Sequence, residues 1–129
     1  MDIDFAKGNG LVPVIIQDAR TQKILMLGFM NEEAYHITIQ EKIVTFFSRD
    51  KQRLWTKGET SGNILEVKEI ILDCDHDTLL IKVIPTGPTC HLGHDTCFQE
   101  DNSISELDFC NTLINIIRDR KDQKKQGSY

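Results

Sequence analysis

Cysteines and a short acidic run are the residues whose types and spacing point to chemistry. The cysteines are Cys74, Cys90, Cys97 and Cys110. No two of them form a C-x-x-C pair, so the usual zinc-finger spacing is absent. Thiolates are soft ligands that suit Zn²⁺, so the first three form a candidate zinc set, with buried free thiols and chance clustering as the alternatives. We expect Cys110 to be a small buried hydrophobe on a helix.

The acidic run is DCDHD at positions 73–77. Its carboxylates are Asp73, Asp75 and Asp77. In an extended chain they would share one face, and carboxylate oxygens are the ligands that Mg²⁺ prefers. A straight strand would separate the outer two by about 13 Å, so one ion would require the chain to bend. An exposed acidic turn is the alternative. An EF-hand is excluded because Thr78 and Ile84 stand where the loop needs Gly and Glu.

Composition bounds the class of protein. The chain has 129 residues, of which 40% are hydrophobic and 27% charged, as expected of one globular domain or of one domain with a fragment of another. Its net charge of −5 argues against a basic nucleic-acid-binding domain. No apolar run approaches the roughly 18 residues of a membrane span, and the first residues show no signal-peptide pattern. We therefore expect a cytoplasmic protein without membrane or nucleic-acid partners.

Hydrophobic patterning predicts the elements that must position these residues. Strands are predicted at 12–17, 23–30, 42–47, 64–72 and 78–84. A short helix should begin after Asn31, because this N-cap type precedes two glutamates. Residues 85–93 are rich in Gly and Pro and should form a loop. The capping-box spacing from Ser103 to Glu106 and helical periodicity predict an amphipathic helix over 103–121.

Three ordered stretches resemble the phosphoribosyl-AMP cyclohydrolase family. The stretches are SR at 48–49 with LWTKGETSGN at 54–63, DCDHDTLL at 73–80, and GPTCHLGHDTCF at 87–98. The resemblance covers residues 11–98. It departs from the family pattern at Leu92, where the family usually has Thr, so a hydroxyl beside the site is lost.

The resemblance implies an α+β, β-rich fold: a five-stranded, mixed, barrel-like sheet with one short helix, acting as an intertwined homodimer, plus the C-terminal helix. It implies Zn²⁺ on Cys74, Cys90 and Cys97, with ligands from both subunits. It implies Mg²⁺ near Asp73, Asp75 and Asp77. The implied reaction of histidine biosynthesis is hydrolytic opening of the purine ring of phosphoribosyl-AMP, in which water attacks C6 and the N1–C6 bond breaks.

The reaction needs proton transfer and phosphate recognition. His91, beside Cys90, is the first candidate for general acid or base, and His94 is the second; His76 and His36 are weaker. The predicted substrate-binding residues are Arg49, Arg53, Trp55, Lys57, Ser61 and Gly62. The cationic members suit phosphate oxygens, whereas Trp55 either stacks on a base or belongs to the core.

Residues 107–129 resemble the opening helix of phosphoribosyl-ATP pyrophosphohydrolase. We therefore predict a cyclohydrolase domain over 1–102 and the truncated start of a second domain over 103–129, without pyrophosphohydrolase activity. Two other classes stay open. A non-catalytic zinc-stapled interaction domain would close its metal site with four protein ligands. A thiol-redox protein would need a reactive cysteine and a partner thiol.

Overall fold

The computed structural model describes residues 2–98, 110 and 113–117. The chain divides into two compact units, Met1–Phe98 and Gln99–Tyr129. The elements of the first unit are β1 (Val12–Asp18), β2 (Ile24–Met30), α1 (Glu32–Glu41), β3 (Thr45–Ser48), β4 (Arg53–Thr56), β5 (Leu65–Leu72) and β6 (Leu79–Pro85), preceded by a 3₁₀ turn at Ala6–Gly8. In the described part of the chain, no helix is long and apolar enough to cross a membrane.

Four strands form a mixed sheet in the order β2-β1-β6-β5. β1 pairs antiparallel with β2 and parallel with β6, and β6 pairs antiparallel with β5. Along β1 and β6, buried side chains alternate with more exposed ones, as expected of a sheet with one buried face. The fully buried members are Val12, Val14, Ile16, Leu79, Ile81 and Val83.

Helix α1 connects the sheet to the remaining strands. The Asn31 side chain accepts a hydrogen bond from the Ala34 N–H at 2.8 Å, which confirms the predicted N-cap. The buried Thr38 hydroxyl donates to the Ala34 carbonyl at 2.8 Å and accepts from the Thr45 N–H at 3.0 Å. This one hydroxyl therefore joins the helix to the start of β3.

Strands β3 and β4 form a separate two-stranded sheet. The buried Phe46 ring pairs with Trp55, with 5.0 Å between ring centroids, and a Cβ on Gly28 would lie 2.6 Å from a Phe46 ring carbon. Glycine at position 28 thus lets the hairpin pack closely on β2. A bridge between Ile43 and Glu66 connects the hairpin to β5.

The predicted fold needs one correction. The α+β class, the mixed sheet and the short helix are confirmed, but the strands form a sheet of four and a sheet of two rather than one sheet of five. The extra strand is Arg53–Thr56, which is not among the strands predicted from hydrophobic patterning. Barrel closure and the homodimer stay predictions.

The second unit is described only in part. Cys110 and residues 113–117 are helical, and the rest of the predicted helix over 103–121 lies outside the described residues. Cys110 is exposed, so its predicted burial is wrong. Its aliphatic neighbours at 113, 114, 116 and 117 are exposed as well. Among the described residues, the apolar stripe of this helix is therefore uncovered.

Candidate functional site

The acidic run forms the turn between β5 and β6. The oxygens of Asp73, Asp75 and Asp77 lie within 4.8 Å of one another. The chain bends because the Asp73 N–H bonds to the Thr78 carbonyl at 3.0 Å and His76 adopts a left-handed conformation with φ of 64°. Residues 73–78, named here the acidic turn, thus place three hard oxygen donors together, and this donor set fits Mg²⁺.

Asp73 organises the acidic turn. Its Oδ1 accepts hydrogen bonds from the N–H groups of Asp77 at 3.1 Å and Thr78 at 3.2 Å. Desolvation pushes the pKa of this carboxyl upward, but the backbone donors outweigh it and hold the pKa below its usual value. Asp73 is therefore ionised at neutral pH, as a cation ligand must be.

The N-terminal segment lies against this turn, which sequence reasoning had not indicated. The Lys7 ammonium donates to the Asp75 carbonyl at 2.9 Å and lies 3.8 Å from Asp77 Oδ2. His76 Nδ1 lies 2.9 Å from the Asp2 carbonyl oxygen. His76, one of the weaker proton-transfer candidates, is therefore engaged in holding the segment.

Cys90 and Cys97 form a thiol pair. Cys90 is buried, and the Cys97 thiol lies close enough to it for the two groups to interact. Burial raises the pKa of the Cys97 thiol, and the neighbouring Cys90 raises it further, whereas the positive charge of Lys57 acts in the opposite direction. Lys57, a predicted substrate-binding residue, therefore lies close to the pair.

The loop that carries the thiol pair is anchored on β2 at its Cys97 end and closed by an internal hydrogen bond at its Cys90 end. Cys97 donates its N–H to the Leu25 carbonyl at 2.8 Å, and the Thr96 hydroxyl donates to the Ile24 carbonyl at 2.7 Å. The Cys90 N–H bonds to the carbonyl of His94 at 3.0 Å. The side chains of His91 and His94 are exposed on this turn, so both can reach solvent or a ligand.

Thr89, directly before Cys90, carries a buried hydroxyl. The residue is 1% exposed, and its Oγ1 is the buried side-chain oxygen that has no hydrogen-bond partner in the described part of the chain. Buried hydroxyls are nearly always paired, so an orphan of this kind marks a place where a further group completes the structure. The thiols of Cys90 and Cys97 are soft metal ligands, and an unpaired buried hydroxyl directly precedes Cys90. These groups fit a loop that closes around a metal ion.

The third predicted zinc ligand, Cys74, belongs to the opposite end of β6. Its thiol lies 3.8 Å from Asp75 Oδ1 in the acidic turn. β6 has seven residues, so its two ends are about 20 Å apart. Within the described residues, the aspartate cluster is the group of three or more possible ligands whose atoms lie within 4.8 Å. One copy of the chain therefore brings together only two of the three predicted cysteines.

Residues 58–63 support the thiol loop from the side. Gly58 has a φ of 90°, and a Cβ there would lie 2.5 Å from the Asn63 backbone carbon. A Cβ on Gly87 would collide with the Asn63 side chain. The Gly62 N–H is already donated to the Gly58 carbonyl at 2.8 Å, and the Ser61 hydroxyl accepts from Asn63 N at 3.2 Å. Of the predicted Ser61–Gly62 donors, the Gly62 N–H is therefore already used, whereas the Ser61 hydroxyl can still donate to a ligand.

The two predicted substrate-binding arginines contact different partners in the structure. Arg53 is paired with Glu59 at 3.1 Å, and Glu59 also accepts from the Thr56 N–H at 3.2 Å. A cleft of about 240 Å³, named here the Arg53 cleft, is lined by Ser48, Lys51, Arg53, Trp55 and Glu59. Trp55 packs on the core and also lines this cleft. The Arg49 guanidinium instead lies 3.9 Å from the centre of the Phe29 ring.

A larger cleft, of about 330 Å³, lies beside the thiol loop and had no counterpart in the sequence analysis. This Arg20 cleft is lined by Asp18, Arg20, Thr21, Lys23, Leu25, Pro85, Thr86, Gly87, Pro88 and Asp95. Burial pushes the pKa of Asp18 upward, but hydrogen bonds from Arg20 and Thr21 outweigh it and lower the pKa below its usual value. Residues 18–21 fall between the predicted strands at 12–17 and 23–30, and no motif marked them.

Comparison with known proteins identifies the family that this chain resembles. Residues 26–99 match the family model described as phosphoribosyl-AMP cyclohydrolase. The chain is 57% identical over 129 residues to the histidine biosynthesis bifunctional protein HisIE of Bacteroides thetaiotaomicron, covering 100% of this chain and 63% of that protein.

The HisIE proteins of Photobacterium profundum and Vibrio cholerae are 53% and 51% identical, over 98% of this chain and 63% and 61% of their own lengths. The chain thus spans about three-fifths of the curated relatives it matches. The family match covers more than half of the chain and includes the acidic turn and the thiol pair. The chain belongs to the phosphoribosyl-AMP cyclohydrolase family.

Proposed function

We propose that this chain catalyses the hydrolytic opening of the purine ring of phosphoribosyl-AMP at the N1–C6 bond, a step of histidine biosynthesis. Zn²⁺ would be held by Cys74, Cys90 and Cys97, and Mg²⁺ by the carboxylates of the acidic turn. The observation that carries the proposal is the thiol pair, because two cysteines seven positions apart are brought into contact by anchored backbone beside an orphan hydroxyl.

We further propose that two copies of the chain share each zinc site. Cys74 and the thiol pair lie beyond opposite ends of β6, a strand that is about 20 Å long. A second copy in the opposite orientation would bring the Cys74 end of one chain to the thiol pair of the other. In a two-fold dimer this contact occurs twice, which gives two equivalent sites.

Proton transfer falls to this chain's own histidines. His91 follows Cys90 directly and is exposed, so its imidazole can take the proton of the attacking water and return it to the leaving ring nitrogen. A zinc ion held by the cysteines would supply the positive charge that makes water acidic enough to attack near neutral pH. His94 is the second candidate because it lies on the same turn.

The substrate carries two phosphates, which an acidic protein must recognise locally. The Lys57 charge near the thiol pair and the ion-paired Arg53 are cations suited to phosphate oxygens. The acidic turn would contribute through Mg²⁺, which commonly binds one or two carboxylates together with a substrate phosphate. Arg49 lies over Phe29, and a guanidinium stacked on a ring keeps its in-plane N–H groups available for a phosphate.

Spectrophotometric turnover of phosphoribosyl-AMP tests the proposal. We expect turnover by the zinc-loaded chain, loss of turnover after chelation, and recovery when zinc is added back. Metal analysis on the same samples should follow the activity. Turnover that is unchanged after complete zinc removal, or none in a zinc-loaded dimer, would contradict it.

A further inference from the structure

We infer that the Arg20 cleft binds one ribose 5-phosphate arm of the substrate, with Arg20 and Lys23 on the phosphate and Asp95 on the ribose hydroxyls. The inference rests on the proposed function and assigns residues of the β1–β2 turn to it. None of the three belongs to the candidate site derived from the sequence.

The guanidinium of Arg20 is held in a fixed orientation. Its Nε and Nη2 each lie 3.3 Å from an oxygen of Asp18, and the Asp18 carboxylate also accepts the backbone N–H of Arg20 at 2.7 Å. Asp18 is 5% exposed, whereas the Arg20 side chain is 57% exposed. An arginine that is oriented yet accessible loses little conformational freedom when it binds phosphate.

The charges of the cleft select a sugar phosphate over a bare anion. Asp18 neutralises Arg20 in part, and Lys23 adds a second positive charge. Asp95 contributes a carboxylate to the same cleft, and it would repel an isolated phosphate. A carboxylate is an acceptor only, so the hydroxyl donors of a ribose are the groups that it would bind.

The position of the cleft suits one arm of a substrate whose ring lies at the thiol pair. Leu25 lines the cleft, and its carbonyl accepts the N–H of Cys97 at 2.8 Å. Thr86, Gly87 and Pro88 form another part of its lining and lead directly to Thr89 and Cys90. The volume of about 330 Å³ is at the lower end of the range for ligand sites, which suits an arm rather than the whole substrate.

The Arg53 cleft repeats this chemistry. It also combines a carboxylate-paired arginine, a lysine and a hydroxyl, here Arg53, Lys51 and Ser48. Phosphoribosyl-AMP has two phosphorylated arms. The described part of the chain therefore offers two clefts that each hold a carboxylate-paired arginine and a lysine, one for each of the two phosphates.

The test compares the variants R20Q and K23Q with the control K68Q in steady-state kinetics on phosphoribosyl-AMP. Lys68 is an exposed lysine paired with Glu66 at 3.1 Å on β5, and it lines neither cleft. We expect KM to rise about 10- to 100-fold in R20Q and K23Q with kcat nearly unchanged, as for loss of a charged hydrogen bond to phosphate. K23Q leaves the Asp18–Arg20 pair intact, so the test does not depend on R20Q folding.

The inhibition constant of AMP, used as a competitive inhibitor, identifies which of the two phosphorylated arms of the substrate lies in the Arg20 cleft. If its inhibition constant rises in K23Q along with KM, the cleft holds the arm that AMP shares with the substrate; if only KM rises, it holds the arm on N1. Both results support the inference. If K23Q and R20Q match K68Q while the wild-type chain turns over normally, the inference is wrong and the proposed function stands. If the zinc-loaded wild type neither turns over nor binds AMP, both fail.

Discussion

The two ends of β6 carry two contrasting groups of possible metal ligands. At its start, the acidic turn is built from six consecutive residues, and its own backbone hydrogen bonds gather the carboxylates. At its end, the thiol pair forms only because the loop between Cys90 and Cys97 is anchored on β2. The hard-ligand group is thus local and present within one chain, whereas the soft-ligand group depends on distant segments and lacks its third predicted member.

The sharpest way to test this contrast is to mix two inactive variants. Cys74→Ser and Cys97→Ser should each lose zinc and turnover when alone. After refolding together, about half of the dimers should be mixed, and one of the two sites in each should be intact. We therefore expect about one quarter of wild-type activity and zinc content.

The control for this experiment mixes two variants that both affect the thiol pair. Mixing Cys90→Ser with Cys97→Ser should restore nothing, because both changes affect the same half of the shared site. Recovery in this control mixture, or none in the first mixture, would contradict sharing of the zinc ligands between copies.

The next largest effect is expected at His91. The variant His91→Ala should lower kcat by about 10²- to 10⁴-fold while zinc stays bound, because it removes proton transfer and leaves the ligands in place. Steady-state kinetics with metal analysis measure both quantities. His94→Ala is the matched change on the same turn and should have the smaller effect. Wild-type turnover in His91→Ala would remove His91 from the mechanism.

The two ends of β6 should also differ in how much a neighbouring carboxylate contributes to the free energy of unfolding. Asp18, beside the thiol loop, is buried and accepts four hydrogen bonds from Arg20 and Thr21, so Asp18→Asn should lower the free energy of unfolding by about 1–2 kcal/mol at pH 7. Asp75, exposed in the acidic turn, should tolerate Asp75→Asn within about 0.5 kcal/mol. Urea unfolding followed by circular dichroism measures both.

The Asp18 contribution should depend on pH in a defined direction. Its pKa is lower in the folded protein than in the unfolded chain, so the ionised form stabilises the fold above about pH 4. The contribution is lost as pH falls through the folded-state pKa. The gap between wild type and Asp18→Asn should therefore narrow below pH 4, and a gap that widens there would contradict the assignment.

The smallest expected effect concerns Lys7 at the acidic turn. Its ammonium lies 3.8 Å from Asp77 Oδ2, where it would compete with a divalent cation. Lys7→Met should tighten Mn²⁺ binding about two- to fivefold, the size expected of an exposed ion pair. Isothermal titration calorimetry measures it, with Lys68→Met as the control. Weaker binding would instead identify Lys7 as an organiser of the turn through its hydrogen bond to the Asp75 carbonyl.

Sequence reasoning succeeded where the signal is local. The N-cap at Asn31 and the alternation of buried and exposed side chains in β1 and β6 depend on residues only a few positions apart. The same holds for the possible metal site formed by Asp73, Asp75 and Asp77. It failed at β4, because a four-residue strand with one charged end has no readable period and is stabilised by pairing with β3. It also failed at Cys110, since helical spacing predicts a stripe but not whether another surface covers it.

By itself, the sequence determined the family, the candidate ligands and most of the strands, because motif spacing and hydrophobic period are properties of short segments. Only the tertiary structure decided which candidates meet. It bent the acidic run into a turn and brought the free thiols of Cys90 and Cys97 close together. It also placed Cys74 at the far end of β6 and formed the Arg20 cleft from residues near positions 20, 86 and 95. The physical reason is that contacts between distant segments depend on strand order and loop anchoring, which spacing along the chain does not encode.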